Sequence, residues 1–286
     1  MRPVKLVDAT LRDGEQAPGL AFSPEVRAQL AVAMDAAGIF QLEVGCPAMG
    51  PAEVDNVKAI KKVCSRALIS AWNRIRPSDV EASLSSGADL IHLAWPTTKL
   101  HLERKIQKTW AKAAEDLATC LKLAKGQAQV SVGLEDVSRA TPEELSRAAE
   151  LLLSLEVKSV RLSDTVGILT PTQARSLVRF FLNKGFLVEF HAHNDLGLAV
   201  ANTLAAALAG AEKVDVTLLG VGERAGNCAL ARLVDLTSHK LDLGLTLQKA
   251  QELEDLARPY LDRAFYARNL LASKAPDIEG FFYKLA

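Results

Sequence analysis

The chain has 286 residues, 49% hydrophobic and 24% charged, with 34 basic and 34 acidic side chains and a formal net charge of 0. That balance supplies no basic face for nucleic acid or an anionic membrane, and no apolar run approaches the roughly eighteen residues that span a bilayer. The length suits a large α/β domain with ample core, and four widely spaced cysteines without a CxxC pair read as reduced, packed thiols.

The opening stretch, MRPVKLVDATLRDGEQ, turns charged early and reads as neither signal peptide nor anchor, so a soluble cytoplasmic protein is expected. Strand-like runs then follow at 4–9, 40–45, 67–72, 90–95, 128–134, 159–164, 187–193 and 214–220. Helical stretches separate them. In the first, Ser23 is placed to cap, Pro24 takes the first helical position and Gly38 stops the helix. Later, Thr141, Pro142 and Glu144 spell a capping box, and the eighth helix is expected at about 227–240. Strands apolar on both sides, alternating with amphipathic helices, call for a parallel sheet covered by helices. Eight consecutive units point to a (β/α)8 TIM barrel over 1–240, followed by a helical C-terminal extension over 241–286. The competing open dinucleotide-binding sheet needs a GxGxxG turn after the first strand, where this chain reads ATLRDGEQAPG.

In such a barrel the active site lies at the C-terminal ends of the strands. Those ends carry Arg12 and Asp13, Glu43, Asn73 and Arg74, Thr97 and His101, then Glu135, Asp136 and Arg139. Ser163, Asp164 and Thr165 follow, then His191 to Asp195, then Gly220 to Asn227. The strand starts carry ordinary residues such as Lys5, Ala67 and Lys213, so the concentration of ionisable groups marks a catalytic rim. Within it, His191 and His193 stand two apart on one strand and project to the same face, which suits two ligands to one metal ion. His92, inside the fourth strand, reads as a packed histidine, and the glycines at 220, 222 and 226 form a tight turn without a P-loop lysine.

DATLRDGEQAPG, LEVGCPAMG, GLEDVSR, LSDTVGILTP, HAHNDLGLAVANTLAA and GVGERAGN occur in that order, and together they resemble the Claisen-condensing, metal-dependent barrel enzymes. That family includes isopropylmalate, citramalate and homocitrate synthases, with the HMG-CoA lyases as more distant relatives. LEVGCPAMG and AWNR look most like the homocitrate synthases that serve nitrogenase cofactor assembly. The resemblance implies condensation of acetyl-CoA with a 2-oxo acid, 2-oxoglutarate giving homocitrate. It implies a divalent ion (Mn²⁺, Mg²⁺, Co²⁺ or Zn²⁺) on Asp13, His191 and His193, with Asn227 reaching it directly or through water. Arg12 would stabilise charge on the carbonyl oxygen, and Glu135 would move a proton at the thioester methyl. Arg139, Ser163 and Thr165 match positions that hold the carboxylates of the oxo acid, with Gln16 and Glu43 also expected near substrate. Gln16 and Glu15 read equally well as loop-ordering residues. For His101, Arg104 and Lys105 a solvated face is favoured over a contact to CoA phosphate.

Relatives continue into a C-terminal arm that brings a histidine and a tyrosine to a neighbouring subunit's site. Here only 241–286 follow the barrel, holding Tyr260, Tyr266 and Tyr283, with His239 the last histidine. A homodimer, or a complex with a subunit carrying the arm, is therefore expected. The alternatives are a stand-alone carbon–carbon lyase and a metal-binding homologue without synthase activity.

Overall fold

Strand and helix alternate as the sequence pattern requires. In the computed structural model, which describes residues 1–237 and 239–274 (262–274 by backbone alone), eight parallel strands close into a barrel. They are β1 (Lys5–Asp8), β2 (Gln41–Glu43), β3 (Leu68–Arg74), β4 (Leu90–Pro96), β5 (Gln129–Glu135), β6 (Ser159–Asp164), β7 (Leu187–Ala192) and β8 (Lys213–Val216). The ring closes where β1 pairs β8, Lys5 opposite Lys213 and Asp8 opposite Val216. The helices between are α1 (Pro24–Ala37), α2 (Pro51–Val63), α3 (Pro77–Ser85), α4 (Trp110–Ala124), α5 (Pro142–Ser154), α6 (Pro171–Asn183) and α7 (Ala199–Ala209). After β8 comes α8 (Leu230–Thr237), and the chain then enters α9 (Leu247–Lys274). This is the expected TIM barrel. Among the described residues no helix is long and apolar enough to cross a membrane.

The helix ends follow the predicted capping chemistry. Ser23 accepts from the Val26 N–H, Gly38 closes α1 at φ 98°, and Thr141 and Glu144 form the reciprocal box at the start of α5. Pro proves a general starter: α2, α3 and α6 also begin with it.

The inside of the barrel departs from expectation. Helix-facing positions such as Leu42, Ile69, Ile91, Val132, Val160 and Val188 are aliphatic and buried. The alternating positions are polar rather than apolar: Gln41, Ser70, His92, Ser131, Arg161, Glu189 and Asp215 are buried as well. At the floor, Lys213 Nζ donates to Gln41 Oε1 (2.9 Å), whose Nε2 donates to Ser70 Oγ (3.0 Å). Above it, Arg161 pairs with Glu43 (2.7 Å), Asp215 (3.2 Å) and Glu189. Alternation along a strand splits the faces, so a run that reads as apolar on average can line the lumen with charge.

The eighth unit also differs. β8 ends at Val216, and Leu218–Gly220 form a 3-10 turn with Leu219 at φ 56°. Residues 220–229 then fold back, Asn227 N–H onto the Gly220 carbonyl, so α8 starts at Leu230 rather than near 227. The tail helix holds this loop in place. Glu254 on α9 accepts from the backbone N–H of Leu219 (3.1 Å) and of Ala231 (3.0 Å) at the α8 N-terminus. Its loss would strand two donors, so Glu254→Ala is expected to lower stability by about 2 to 3 kcal/mol in urea unfolding; a change under about 0.5 kcal/mol would remove this role. Tyr260 on the same helix donates to Gln29 Oε1 (3.3 Å), a packing contact, whereas the Tyr266 side chain and Tyr283 lie outside the described residues.

Candidate active site

His191 sits near the end of β7 and His193 directly after it, bridged to Asn227, and the two imidazoles turn inward as the strand period requires. Their Nε2 atoms are 3.2 Å apart, and they lie 3.6 Å and 3.9 Å from Asp13 Oδ2, which comes from the turn after β1. These three groups are buried and offer donor atoms within 4.8 Å of one another. An ion held about 2.1 Å from each ligand separates neighbouring donors by roughly 3.0 to 3.5 Å, so the trio is close to the spacing such an ion needs.

Protonation favours the same use. Burial lowers both imidazoles to about 4, His191 being further disfavoured by Arg161 and Arg12 and His193 by His191. Both are therefore neutral near pH 7. His191 Nδ1 lies 2.9 Å from Asp215 Oδ2, a carboxylate that can accept the ring proton and leave the Nε2 lone pair facing Asp13. Burial works against the Asp13 charge, but Arg12 and the two histidines hold its carboxyl well below the usual carboxylate range. Asn227 donates from Nδ2 to Asp13 Oδ1 (2.9 Å) and to the Val221 carbonyl, while its buried Oδ1 has no protein partner. Gly222 makes room for this amide, since a Cβ there would stand 2.0 Å from Asn227 Nδ2. Asp13, Glu135 and Glu223 share the cavity wall with Arg12, Lys105 and Arg161, and Glu43, Glu189 and Asp215 lie buried in the lumen beneath it. Wall and lumen together hold these six carboxylates against Arg12, Lys105, Arg161 and Lys213, an excess of negative charge that fits a resident divalent cation. One carboxylate and two neutral imidazoles suit Mn²⁺, Mg²⁺, Co²⁺ or Zn²⁺ alike.

These ligand candidates open into a cavity of about 180 Å³, lined also by Arg12, Gln16, Trp72, His92, Lys105, Glu135, Arg161, Ser163, Thr165 and Glu223. Arg12 donates to Asp13 Oδ2 (2.7 Å) and Glu43 Oε1 (2.6 Å), so its guanidinium is fixed at the edge of the ligand cluster. Glu135, at the end of β5, is met by Lys105 Nζ at 2.9 and 2.8 Å and by His101 Nδ1 at 3.8 Å. Burial raises its carboxyl, yet His101 and Lys105 together keep it below the ordinary value. A second cavity of about 640 Å³ shares the Arg12, Gln16 and Trp72 wall and runs outward past Leu20, Ala21 and Met49.

The structure thus brings together Arg12, Asp13, Gln16, Glu135, Ser163, Thr165, His191 and His193, with Asn227 directly behind Asp13. Two expected substrate contacts are not on the cavity wall. Glu43 is fully buried beneath Arg12 and Arg161. Arg139 turns onto Asp136 as a bidentate pair (2.7 and 2.9 Å). His92 is packed as expected, its Nδ1 against Ser131 Oγ (2.8 Å), but it also reaches the cavity. Lys105, favoured as a surface residue, is exposed as expected, but from the end of the π-helix His101–Lys105 it also reaches the cavity rim. Arg161 and Asp215 had a readable signal: a charge in the middle of an otherwise buried strand demands a partner. Cys64, Cys120 and Cys228 are buried, Cys46 is half-buried, and all four are free thiols.

A family model described as HMGL-like matches residues 3–257. The chain is 37% identical to a homocitrate synthase subunit alpha of Clostridium pasteurianum, covering 89% of this chain and 98% of that one. It is 42% identical to a homocitrate synthase of Frankia alni over 85% of this chain and 70% of that one. Among solved structures, a hydroxymethylglutaryl-CoA lyase of Pseudomonas aeruginosa superposes with TM-score 0.81 at 22% identity, covering 95% and 98% of the two chains, a likeness of fold.

Proposed function

The chain belongs to the HMGL-like family, and from that premise we propose that it joins the methyl carbon of acetyl-CoA to the carbonyl carbon of a 2-oxo acid, 2-oxoglutarate giving homocitrate. It is a transferase of the kind that turns an acyl group into an alkyl group on transfer. The observation that carries this reading is the Asp13–His191–His193 cluster facing Glu135 across one small cavity. Two relatives named as homocitrate synthases, at 37% and 42% identity, support the choice of substrates.

Asp13, His191 and His193 would hold the divalent ion, whose Lewis acidity polarises the oxo-acid carbonyl when it is bound. Glu135 accepts a proton from the thioester methyl, and the resulting carbon attacks the carbonyl. Arg12, fixed by Asp13 and Glu43, then faces the developing oxygen charge without needing to reorganise. Ser163 and Thr165 offer hydroxyls to the carboxylate beside the carbonyl, with Gln16 on the wall toward the larger cavity. That larger cavity suits the pantetheine arm. Water then cleaves the thioester and free CoA leaves.

The Clostridium relative carries the name of a subunit and is matched over 98% of its length, whereas the Frankia relative extends well beyond the match. This supports a barrel that works with a second chain supplying the rest of the proton-transfer machinery. CoA release from acetyl-CoA should depend on the 2-oxo acid and on Mn²⁺ or Mg²⁺, and be fastest with 2-oxoglutarate. No release with any acid, with or without candidate partner chains, would reject the assignment.

A further inference from the structure

Resting on that reading of the cavity, we propose that Lys105 selects a dicarboxylic 2-oxo acid by leaving Glu135 to pair with the substrate's distal carboxylate, so that the correct substrate itself releases the base. The cations at the cavity differ in how firmly they are committed. Arg12 is held by Asp13 and Glu43, and Arg161 by Glu43, Glu189 and Asp215, with 11% and 2% of their side chains exposed. Arg139 is bound to Asp136 and stands off the wall, and His92, driven down to about 3 by burial and Arg161, is neutral. Lys105 is paired with Glu135, and its side chain is 47% exposed.

An ammonium on a flexible four-carbon stem, itself 47% exposed, can turn from one carboxylate to another and keep an ion pair throughout. The backbone helps, for Lys105 is the last residue of the π-helix His101–Lys105, a geometry that recurs at functional sites. Room for the distal arm exists on the same wall, where Ala94 lacks bulk, while Gly133 leaves space for the His92 ring. Gly133 is required there, since a Cβ would lie 2.3 Å from His92 Nε2.

The exchange has a chemical consequence. Glu135 is faced by Lys105 and His101 from the loop after β4, with Asp136 next in the turn that follows β5. While Lys105 sits on it, the carboxylate is a poor proton acceptor. Once a distal carboxylate draws Lys105 away, only His101 still opposes burial and Glu135 becomes more basic. A 2-oxo acid without that second carboxylate leaves the pair closed and loses both affinity and rate.

The test compares 2-oxoglutarate with 2-oxopentanoate, of equal chain length but without the distal carboxylate. Binding to the Mn²⁺-loaded protein is followed by calorimetry, and CoA release is followed with the partner chain where turnover requires it. Lys105→Met is expected to weaken 2-oxoglutarate binding about 10- to 100-fold and to change 2-oxopentanoate binding by less than about threefold. It should also raise kcat with 2-oxopentanoate, because Glu135 is no longer held, and Lys105→Arg should restore the preference for 2-oxoglutarate in binding. Unchanged 2-oxoglutarate binding in Lys105→Met, or an equal loss for both acids, overturns the proposal. If the wild type binds the acids but releases no CoA, the condensation reading fails while the binding comparison still decides the role of Lys105.

Discussion

Arg161→Met is expected to destabilise the barrel by about 3 to 5 kcal/mol, the cost of removing one partner from a buried ion-pair network. Methionine fills a similar volume, so the deficit measures charge rather than a cavity. The guanidinium is 2% exposed and sits among Glu43, Glu189 and Asp215, all of them buried. Without it, three carboxylates face one another in a lumen that water cannot readily reach. Burial already drives Asp215 up to about 6 even with Arg161 beside it, a sign of how poorly the lumen tolerates this charge. The double variant Arg161→Met/Glu189→Gln should recover part of the loss, because it removes one of the unpaired charges. Urea denaturation of the three proteins checks both expectations. A single-variant cost under about 1 kcal/mol, or no recovery in the double variant, would mean that the network does not hold the lumen.

His193→Ala is expected to lower divalent-metal affinity by more than about 100-fold while leaving the barrel folded. Its Nε2 is one of three donor atoms in the cluster, and even outer-shell partners of a ligand typically cost 10- to 100-fold. The hydrogen-bond partner of His191 provides the graded comparison. Asp215→Asn keeps the shape but weakens the acceptor at His191 Nδ1, so a loss of about 10- to 100-fold is expected there. Metal content after gel filtration, Mn²⁺ titration by electron paramagnetic resonance and far-ultraviolet circular dichroism together separate metal loss from unfolding. Unchanged stoichiometry in His193→Ala would reject the ligand assignment.

Much of this architecture could be read from the chain because local signals agreed with the global fold. Thr141 and Glu144 mark the start of α5 by chemistry that acts within four residues, and the HxH spacing works through the strand period alone. The lumen was harder, because its polarity depends on registering Glu43, Arg161, Glu189 and Asp215 across four strands. Each charge is visible in sequence, but its partner is set by barrel closure. Lys105 lies on the surface as read, but its pairing with Glu135 was not legible, because it joins the loop after β4 to the end of β5 across thirty residues. Glu254 is the opposite case, an ordinary-looking helix residue whose role comes from a loop some thirty residues away.

The central claim, that this metal-competent cluster serves a carbon–carbon condensation, is tested most directly by following the acetyl carbon itself. Protein loaded with Mn²⁺, with its partner chain if turnover needs one, is given methyl-labelled [¹³C]acetyl-CoA and 2-oxoglutarate. The account predicts one labelled hydroxy-tricarboxylic acid for each CoA released, with the label bonded to the former carbonyl carbon, and neither product from Asp13→Asn. CoA release that leaves the label in free acetate would contradict it.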